Sequence, residues 1–402
     1  MIRSRTLRTS LLAIFSIAAT TTASRGEESN DDSMVWLREE TKRQIDGSRV
    51  QSNSGIWIQT PDGVGHYKAL WVRDFYYQYQ YAGEFLDEAE CKAAMEYLFD
   101  GQREDGCMPD RVRADGVAVY SPGGLNDPMA DHAVDNGPFM AMLVCEYVRR
   151  TKDLDFFNSV EDKLKKGMDF IHRSEKGMVY NSPDDPQCVY GFTDIVTKTG
   201  NLLFSSLLYL KSCEDLAACC EMSEVGNPDE YRRRADLIRK NLPTLWNDET
   251  GMFWAADKDC KQLDIWGSAY AIDVGVTTDK QRDRIVDYLI KHEDDIVQRG
   301  QIRHLPGQEV WQRLFRDNYP PGTYQNGAYW ATPLAWIIPA VAQKNPETAW
   351  KWLRDAIKDS RDNGMAECIN GSDRKVPNFV VSATNLHYAG RWLEEYAPEP
   401  TK

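Results

Sequence analysis

The sequence lacks any excess of positive charge, and it lacks a long hydrophobic run beyond its first two dozen residues. Its 48 lysines and arginines are outnumbered by 62 aspartates and glutamates, which gives a formal net charge of −14. A negative surface repels a phosphate backbone, so this charge argues against nucleic-acid binding. Because no later apolar run has membrane length, we also expect no membrane span.

Several motifs that would indicate a metal or a nucleotide are also missing. There are nine cysteines, an odd number that leaves at least one without a partner in the chain, but no CxxC pair has metal-ligand spacing. A P-loop, a dinucleotide fingerprint and a GxSxG elbow are absent. The acidic loop with Asn126, Asp127 and Asp131 does not have EF-hand spacing. The sequence therefore predicts no metal and no cofactor.

The N-terminal segment has the features of an export signal. Three arginines precede a short apolar run at residues 11–19, and small residues follow it up to Ala23. This pattern predicts a signal peptide over residues 1–23, cleaved near Ala23, and a periplasmic or extracellular mature protein; a buried N-terminal helix is the alternative. Residues 24–33 are acidic and polar, and we expect them to be disordered.

Helical periodicity dominates the rest of the chain. Apolar residues recur at three- and four-residue spacing in twelve segments: 34–46, 71–84, 87–102, 131–150, 153–174, 197–222, 228–244, 264–275, 279–293, 325–344, 345–363 and 378–395. Segments such as 153–174 carry charges along one face, whereas segments such as 197–222 are apolar or small around most of their circumference. Amphipathic and buried helices therefore alternate.

The buried segments recur every 53 to 67 residues, which gives six outer–inner helix hairpins. We predict an all-α fold, a closed (α/α)6 toroid formed by one domain over residues 34–398, with small β-hairpins near 177 and 251 in its loops. An open helical solenoid is the alternative, but it would need a polar cap at each end. The last segment, 378–395, has the composition of an interior helix.

Closure of a toroid brings the loops before the six inner helices to one rim. These loops contain carboxylates, amides, an arginine and several tryptophans and tyrosines, which suit a carbohydrate because ring faces stack on sugars and polar groups bind hydroxyls. We therefore expect an oligo- or polysaccharide partner. The candidate substrate-binding residues are Trp71, Arg73, Asp74, Asp135, Asn136, Lys198, Trp266, Glu309, Tyr324, Gln325, Asn326 and Trp330.

Several of these candidates have a structural alternative. Asp135 and Asn136 precede Gly-Pro, as residues of a turn before a helix also do. A tryptophan at the start of a buried helix is often a core residue. The histidines at positions 66, 132, 304 and 387 are better interpreted as structural than as acid–base groups.

Two motifs resemble a known family. YGFTD at 190–194 and AECINGSDRKVPNFVVSAT at 366–384, combined with the alternating helices, are similar to the six-hairpin glycosidases, especially the inverting enzymes of glycoside hydrolase family 63 and the trehalases. The resemblance implies that Asp194 is the general acid and Glu367 the general base. WVRD at 71–74 is similar to a glucoamylase-like motif whose Arg and Asp hold sugar hydroxyls, which implies that role for Arg73 and Asp74. The chain departs from the family pattern at Phe192-Thr193 and at Val381, where the family has tryptophan.

The chemistry of these positions supports the same pair. An inverting hydrolase needs one protonated and one ionised carboxyl. Asp194 lies among Tyr190, Phe192 and Ile195, and apolar surroundings raise the pKa of a carboxyl. Glu367 lies in a loop whose turn residues can place it at the rim. A helix N-cap is the alternative for Asp194, and a solvated loop acid is the alternative for Glu367, with Glu309 as the rival base.

The sequence thus predicts an exported glycosidase that cleaves an α-linked glucose- or mannose-like glycan by inversion. Two other functions fit the same architecture: a toroidal polysaccharide lyase or sugar epimerase, in which His and Tyr transfer protons, and a glycan-binding toroid without catalytic activity.

Overall fold

Helices alternate between two layers along the chain. The structure is a computed structural model that describes residues 30–398. The outer layer contains α1 (Asn30–Ser48), α3 (Glu88–Asp100), α5 (Leu154–Phe170), α7 (Pro228–Asn241), α9 (Asp279–Lys291) and α12 (Pro346–Asn363). The inner layer contains α2 (Val72–Ala82), α4 (Asn136–Thr151), α6 (Leu203–Ser223), α8 (Ile265–Asp273), α11 (Leu334–Ala342) and α13 (Val380–Tyr396). A four-residue helix, α10 (Glu293–Ile296), follows α9.

The inner helices form a closed ring. Each one packs against the next inner helix, in the order α2, α4, α6, α8, α11 and α13, and α13 packs back against α2. An open solenoid has no contact between its first and last repeats. The fold is therefore the predicted (α/α)6 toroid.

The two layers differ in the way that their sequences indicated. Every residue of α11, LAWIIPAVA, is buried, as expected for a helix with neighbours on all sides. In the outer helix α7 only Tyr231, Ala235 and Ile238 are buried, at spacings of four and three residues. This spacing places the three side chains on a single stripe that faces the inner layer.

Three inner helices begin later than the sequence predicted. Segment 197–222 becomes helical only at Leu203, and segment 325–344 only at Leu334. The preceding residues include Gly200 at φ +86° and Gly327 at φ +115°, backbone conformations that interrupt a helix. Helix α4 similarly begins at Asn136 rather than at 131. The residues that sequence periodicity assigned to these helices form the rim loops instead.

The N-terminus also differs from its prediction in part. Helix α1 begins at Asn30, so the last four residues of the segment predicted as disordered, 24–33, are helical. The predicted signal peptide, residues 1–23, and residues 24–29 lie outside the described residues.

Short antiparallel sheets occupy the loops between helices. Their strands within residues 30–398 are β1 (Arg49–Gln51), β2 (Trp57–Gln59), β3 (Ala69–Trp71), β4 (Arg111–Arg113), β5 (Ala118–Val119), β6 (Gly123–Gly124), β7 (Asp127–Pro128), β8 (Tyr180–Asn181), β9 (Gly200–Asn201), β10 (Trp246–Asn247), β11 (Met252–Phe253), β12 (Val297–Gln298), β13 (Gln301–Ile302), β14 (Ala366–Asn370) and β15 (Asp373–Pro377). Strands β3, β4 and β5 form one three-stranded sheet, and the others pair two by two in chain order.

The hairpin predicted near 251 is the β10–β11 pair. The one predicted near 177 is different, because β8 pairs with β9 some twenty residues later. The local turn near 177 has one antiparallel bridge, between Arg173 and Val179, and backbone hydrogen bonds of 2.9 and 3.0 Å on either side of it.

One cluster of buried hydrophobic side chains extends from Met34 in α1 to Leu393 in α13. All nine cysteines lie within the described chain as buried free thiols. None of the helices between residues 30 and 398 is both long and apolar enough to cross a bilayer. The same residues contain no group of three or more His, Cys, Asp and Glu side chains placed to hold a metal ion.

Candidate active site

A pocket opens where the segments before four inner helices meet. It is small, with about 330 Å³ of empty space including its open mouth. Its wall comes from the residues before and at the start of α2, from the loops before α6 and α11, and from the β14–β15 region before α13. The lining residues are Pro61, Tyr67, Trp71, Arg73, Asp74, Gly191, Phe192, Asp194, Tyr324, Glu367 and Phe379. Six of them are sequence candidates: Trp71, Arg73, Asp74, Asp194, Tyr324 and Glu367.

Asp194 follows a one-turn 3₁₀ helix, Gly191–Thr193, and is not the N-cap of an α-helix. Gln325 holds this turn from both sides: its Oε1 accepts from the Ile195 amide at 3.0 Å and its Nε2 donates to the Gly191 carbonyl at 3.1 Å. Asp194 is only 6% exposed, and its Oδ1 has no hydrogen-bond partner. Burial raises the pKa of Asp194 to about 7, against the opposing effect of Arg73.

Gly191 is required by a close approach. A Cβ at this position would lie 1.9 Å from Nε of Arg73, so any side chain would displace the guanidinium. The absence of a side chain allows Arg73 to lie directly against the turn that presents Asp194.

Glu367 lies on β14, which pairs with β15. Backbone hydrogen bonds between Tyr329 and Ile369, at 2.8 and 2.9 Å, fix the strand beside the loop that precedes α11. Glu367 is 3% exposed, so it is not a solvated loop acid. The Tyr67 hydroxyl donates a hydrogen bond to its Oε1. Burial raises the pKa of Glu367 to about 8, with smaller contributions from Asp74 and Asp194 in the same direction.

Tyr67 is a pocket residue that sequence reasoning missed. The carboxylate of Asp62 accepts hydrogen bonds from the backbone amides of Val64, His66 and Tyr67, each at 2.9 Å, and so fixes the loop that carries the tyrosine. The Pro-Asp-Gly at 61–63 indicates a turn. The turn signal does not predict that Tyr67 lies at the rim. Tyr67 contacts Glu367, a residue 300 positions away in the sequence, and local sequence does not encode such a contact.

Arg73 is held by a buried acidic network. Its Nη2 donates to Asp110 at 2.6 Å, its Nε donates to Asp135 at 3.2 Å, and Nη2 is also 3.3 Å from the Asn136 oxygen. Asp110 was also missed, because it precedes β4 rather than an inner helix. Asp74, in the first turn of α2, lines the pocket without such a partner, and burial raises its pKa to about 7. Three carboxyls with raised pKa values thus face one small space.

Several predicted substrate-binding residues lie behind the pocket wall. Asp135 and Asn136 hold Arg73, and Asp135 also accepts from the Gly191 amide at 2.8 Å. The Lys198 ammonium is buried, 2.9 Å from Thr193 Oγ1 and 4.6 Å from the centre of the Trp311 ring. Asn326 accepts from the Trp311 amide at 3.0 Å. These side chains support the rim from within and do not line the pocket.

Two predicted stacking residues belong to the core. Trp266 stacks on His304 at 3.7 Å between ring centres, and its indole donates to the Ile302 carbonyl. Trp330 is fully buried and donates to the Tyr324 carbonyl at 3.4 Å. The rival base, Glu309, is exposed, within 3.3 Å of the Gln262 amide, and lies outside the pocket. An aromatic ring at the start of an inner helix therefore does not by itself indicate a ligand contact.

No protein-family model and no curated protein matches the sequence. Solved structures do match its fold. The chain is similar to a glycoside hydrolase family 63 mannosylglycerate hydrolase from Thermus thermophilus, determined in complex with glucose, at 15% identity and a TM-score of 0.63, over 88% of this chain and 99% of that one. A rhamnosidase from Klebsiella oxytoca with rhamnose bound matches at 15% identity and a TM-score of 0.65, over 92% of this chain and 64% of that one.

A glycoside hydrolase family 78 rhamnosidase from a Bacillus species matches at 13% identity and a TM-score of 0.59, over 91% of this chain and 35% of that one. These likenesses show that the toroid is a six-hairpin glycosidase-like fold.

Proposed function

We propose that the protein is an inverting glycoside hydrolase, with Asp194 as general acid and Glu367 as general base. The observation that carries the proposal is the composition of the pocket. Two buried carboxyls from distant parts of the chain line one small space, together with Arg73 and the aromatic rings of Trp71 and Phe192. The similarity of the fold to glycoside hydrolases supports the same conclusion.

In the proposed reaction, Asp194 gives its proton to the glycosidic oxygen as the bond from that oxygen to the anomeric carbon breaks. Glu367 removes a proton from a water molecule, whose oxygen attacks the anomeric carbon from the opposite face. The products are a free sugar with inverted configuration and the leaving alcohol. Solvent exchange returns the proton to Asp194 and removes it from Glu367 before the next turnover.

The hydrogen bonds support this division of roles. Burial raises the pKa of Asp194 to about 7 and that of Glu367 to about 8, the latter although the Tyr67 hydrogen bond lowers it. The division of roles therefore rests on the contacts and not on the order of the two pKa values: Tyr67 donates to Glu367, and this hydrogen bond stabilises the ionised form that a base requires. Asp194 Oδ1 has no partner, which leaves it free to meet a glycosidic oxygen.

We further propose that the sugar is α-linked and similar to glucose or mannose. Arg73 and Asp74 would hold its hydroxyls and Trp71 would contact its ring. The limited volume suits a single terminal sugar, and therefore exo cleavage. One neighbour in fold is a mannosylglycerate hydrolase determined in complex with glucose, and two are rhamnosidases, one of them with rhamnose bound.

Export is a separate part of the proposal. The basic start, the apolar run and the small residues up to Ala23 support cleavage and a periplasmic or extracellular location. N-terminal sequencing of the protein recovered from the periplasm or the medium tests it. The expected N-terminus lies near Ser24, and an intact Met1 in the cytoplasm would contradict export.

A lyase or an epimerase has less support from the pocket. Its lining residues, all within the described chain, include Tyr67 and Tyr324 but no histidine, and His66 lies outside it with its ring 4.8 Å from that of Tyr67. His304 is stacked on Trp266, His387 bonds Glu84 at 2.9 Å, and His132 lies 3.1 Å from Asp131. Ultraviolet absorbance of an unsaturated product, or an epimerised sugar, would favour this alternative. Glycan binding without cleavage of any bond would favour the non-catalytic one.

The deciding experiment combines a panel of α-linked glycans with aryl glycosides of the sugar that is cleaved. Asp194→Asn is expected to lose activity on a glycan with a poor leaving group but to retain it on a dinitrophenyl glycoside, whose leaving group needs no proton. Glu367→Gln is expected to lose both, because attack by water still needs a base. Glu309→Gln is the matched control and should behave as wild type. Equal losses for Asp194→Asn on both substrates would contradict its role as acid.

A further inference from the structure

A second, larger cleft adjoins the pocket. It has about 880 Å³ of empty space including open solvent, and Tyr67 lines both cavities. We call it the basic groove, defined by His66, Lys68, Arg111, Arg113 and Asp115 along its wall. If the terminal sugar of a glycan fills the pocket, the rest of the glycan must extend into a neighbouring space, and the basic groove is such a space.

The sheet of β3 and β4 fixes the groove relative to the pocket. In their antiparallel register Trp71 pairs with Arg111 and Ala69 pairs with Arg113, so these side chains share one face. The Arg111 guanidinium lies 4.3 Å from the centre of the Trp71 ring. Trp71 also lines the pocket. A single aromatic ring therefore separates the sugar site from the first cation of the groove.

The charge of the groove is opposite to that of the chain. Three cationic side chains, Lys68, Arg111 and Arg113, line it against one carboxylate, Asp115, although the chain carries a net charge of −14. Arg111 is already bound to Asp110 at 2.7 Å and to two carbonyls, which fixes its position. Arg113 pairs with Asp115 at 2.8 Å, with both side chains more than a third exposed. Such an exposed ion pair is weak and can exchange for a ligand.

Lys68 is unusual in its backbone as well as in its position. It is exposed and adopts φ +50°, a left-handed conformation that residues other than glycine rarely take. It lies between Tyr67 of the pocket and the first residue of β3. This position places Lys68 beside the residue that lines both the pocket and the groove.

We propose that the basic groove is a subsite for an oxyanion on the leaving-group part of the substrate, so that the protein acts on an acidic glycan. The proposal rests on the proposed hydrolase function and adds the class of substrate. The anion is a carboxylate, as in a uronic acid, or a sulfate ester, since both present oxygens that Lys68 and Arg113 can bind. Arg111 contributes positive potential from its fixed position beside Trp71.

The test uses matched oligosaccharides that end in the same cleaved sugar and differ only in the next unit: neutral, carboxylated or sulfated. The variant Lys68→Gln/Arg113→Gln removes two cations and leaves every pocket residue in place. We expect wild type to have a KM at least about tenfold lower for one of the acidic substrates than for the neutral one. The double variant should lose that advantage and keep kcat and KM on the neutral substrate.

The matched control is Lys152→Gln/Arg282→Gln. Lys152 is another exposed lysine with positive φ, at the end of α4 away from the rim, and Arg282 is paired with Asp279 at 2.9 Å on the outer helix α9. This control should retain the preference of wild type. The preference should also weaken as salt is raised from about 0.05 to about 0.5 M, because screening acts on exposed charges.

The test distinguishes a carboxylate from a sulfate as the bound anion. It also separates failure of the groove proposal from failure of the hydrolase proposal. A preference for either the carboxylated or the sulfated substrate supports the groove and identifies its anion. If no glycan is cleaved, calorimetric binding of the same oligosaccharides still tests the groove: weaker acidic-glycan binding by the double variant supports it although the hydrolase proposal fails. Equal affinity of wild type for neutral and acidic glycans, or an unchanged preference in Lys68→Gln/Arg113→Gln, would overturn it.

Discussion

Two groups of buried carboxyls lie within the same rim and differ in their partners. Asp110 and Asp135 are bound to Arg73 and, for Asp110, also to Arg111, at distances of 2.6 to 3.2 Å. Asp194 has an oxygen without a hydrogen-bond partner, and the Glu367 side chain accepts a hydrogen bond from the neutral Tyr67 hydroxyl. A carboxyl buried with a cation is stabilised as part of the structure. Burial raises the pKa of Asp135 as it raises those of Asp194 and Glu367, so the two groups differ in their partners: a carboxyl buried without a cation is available for a substrate.

The largest expected effect lies in the second group. Asp194→Asn and Glu367→Gln should each lower kcat/KM on the natural linkage by about 10²- to 10⁴-fold, the contribution of a general acid or base. The matched control, Glu309→Gln, removes an exposed carboxyl outside the pocket and should change kcat/KM by less than about twofold. Steady-state kinetics with folded, purified variants measure this difference. Full activity in both pocket variants would show that Asp194 and Glu367 have no more part in catalysis than the cation-bound carboxyls.

The first group should respond in stability instead. Asp110→Asn leaves Arg111 without its carboxylate partner and Arg73 with Asp135 alone, and we expect it to lower the free energy of unfolding by about 3–5 kcal/mol. Urea titration monitored by circular dichroism measures the change. A loss below about 1 kcal/mol would mean that the ion pairs of Asp110 with Arg73 and Arg111 do not stabilise the fold.

Asp194→Asn should have the opposite effect on stability. The pKa of Asp194 is raised from 3.8 to about 7. Between about pH 4 and 7 the folded protein holds a proton that the unfolded chain has lost, so stability falls as pH rises through this window and stays low above it. Asparagine has no such proton, so the variant should be more stable than wild type by about 1–3 kcal/mol at pH 8, and the two should converge near pH 4. A variant less stable than wild type at pH 8 would contradict this.

The smallest expected effect is the position of the pH optimum. Because burial raises the pKa values of Asp194 and Glu367 to about 7 and about 8, kcat/KM should follow a narrow bell with limbs near those values. The pair titrates together, so the limbs belong to both carboxyls. A plateau that extends down to pH 4 would show that these carboxyls ionise normally in the free enzyme.

The same contrast explains what the sequence could predict. Trp71, Arg73, Asp74, Asp194, Tyr324 and Glu367 all come from segments that precede or begin inner helices, and the closed ring brings such segments together. The period of buried helices is a local signal, and it predicted the toroid and the meeting of these segments; the roles of Asp194 and Glu367 came from the resemblance of their motifs to the six-hairpin glycosidases. Local signals were sufficient where topology alone determines the neighbours.

Other residues depend on contacts that no local pattern encodes. Tyr67 reaches Glu367 across 300 residues, and Asp110 is delivered to Arg73 by the β3–β4 pairing. Trp266 and Trp330, like Trp71, lie near the start of an inner helix, yet both are buried in the core. The periodic pattern also predicted that α6 and α11 begin earlier than they do, because it does not show that Gly200 and Gly327 adopt a positive φ.

The stereochemistry of cleavage tests the central claim most directly. Proton NMR spectra recorded within the first minutes of hydrolysis of an α-linked substrate show the anomer that leaves the enzyme before it mutarotates. Attack by a water molecule activated by Glu367, opposite the Asp194 proton, predicts that the β anomer appears first. Initial release of the α anomer would indicate a covalent intermediate and would contradict the roles assigned to both carboxyls.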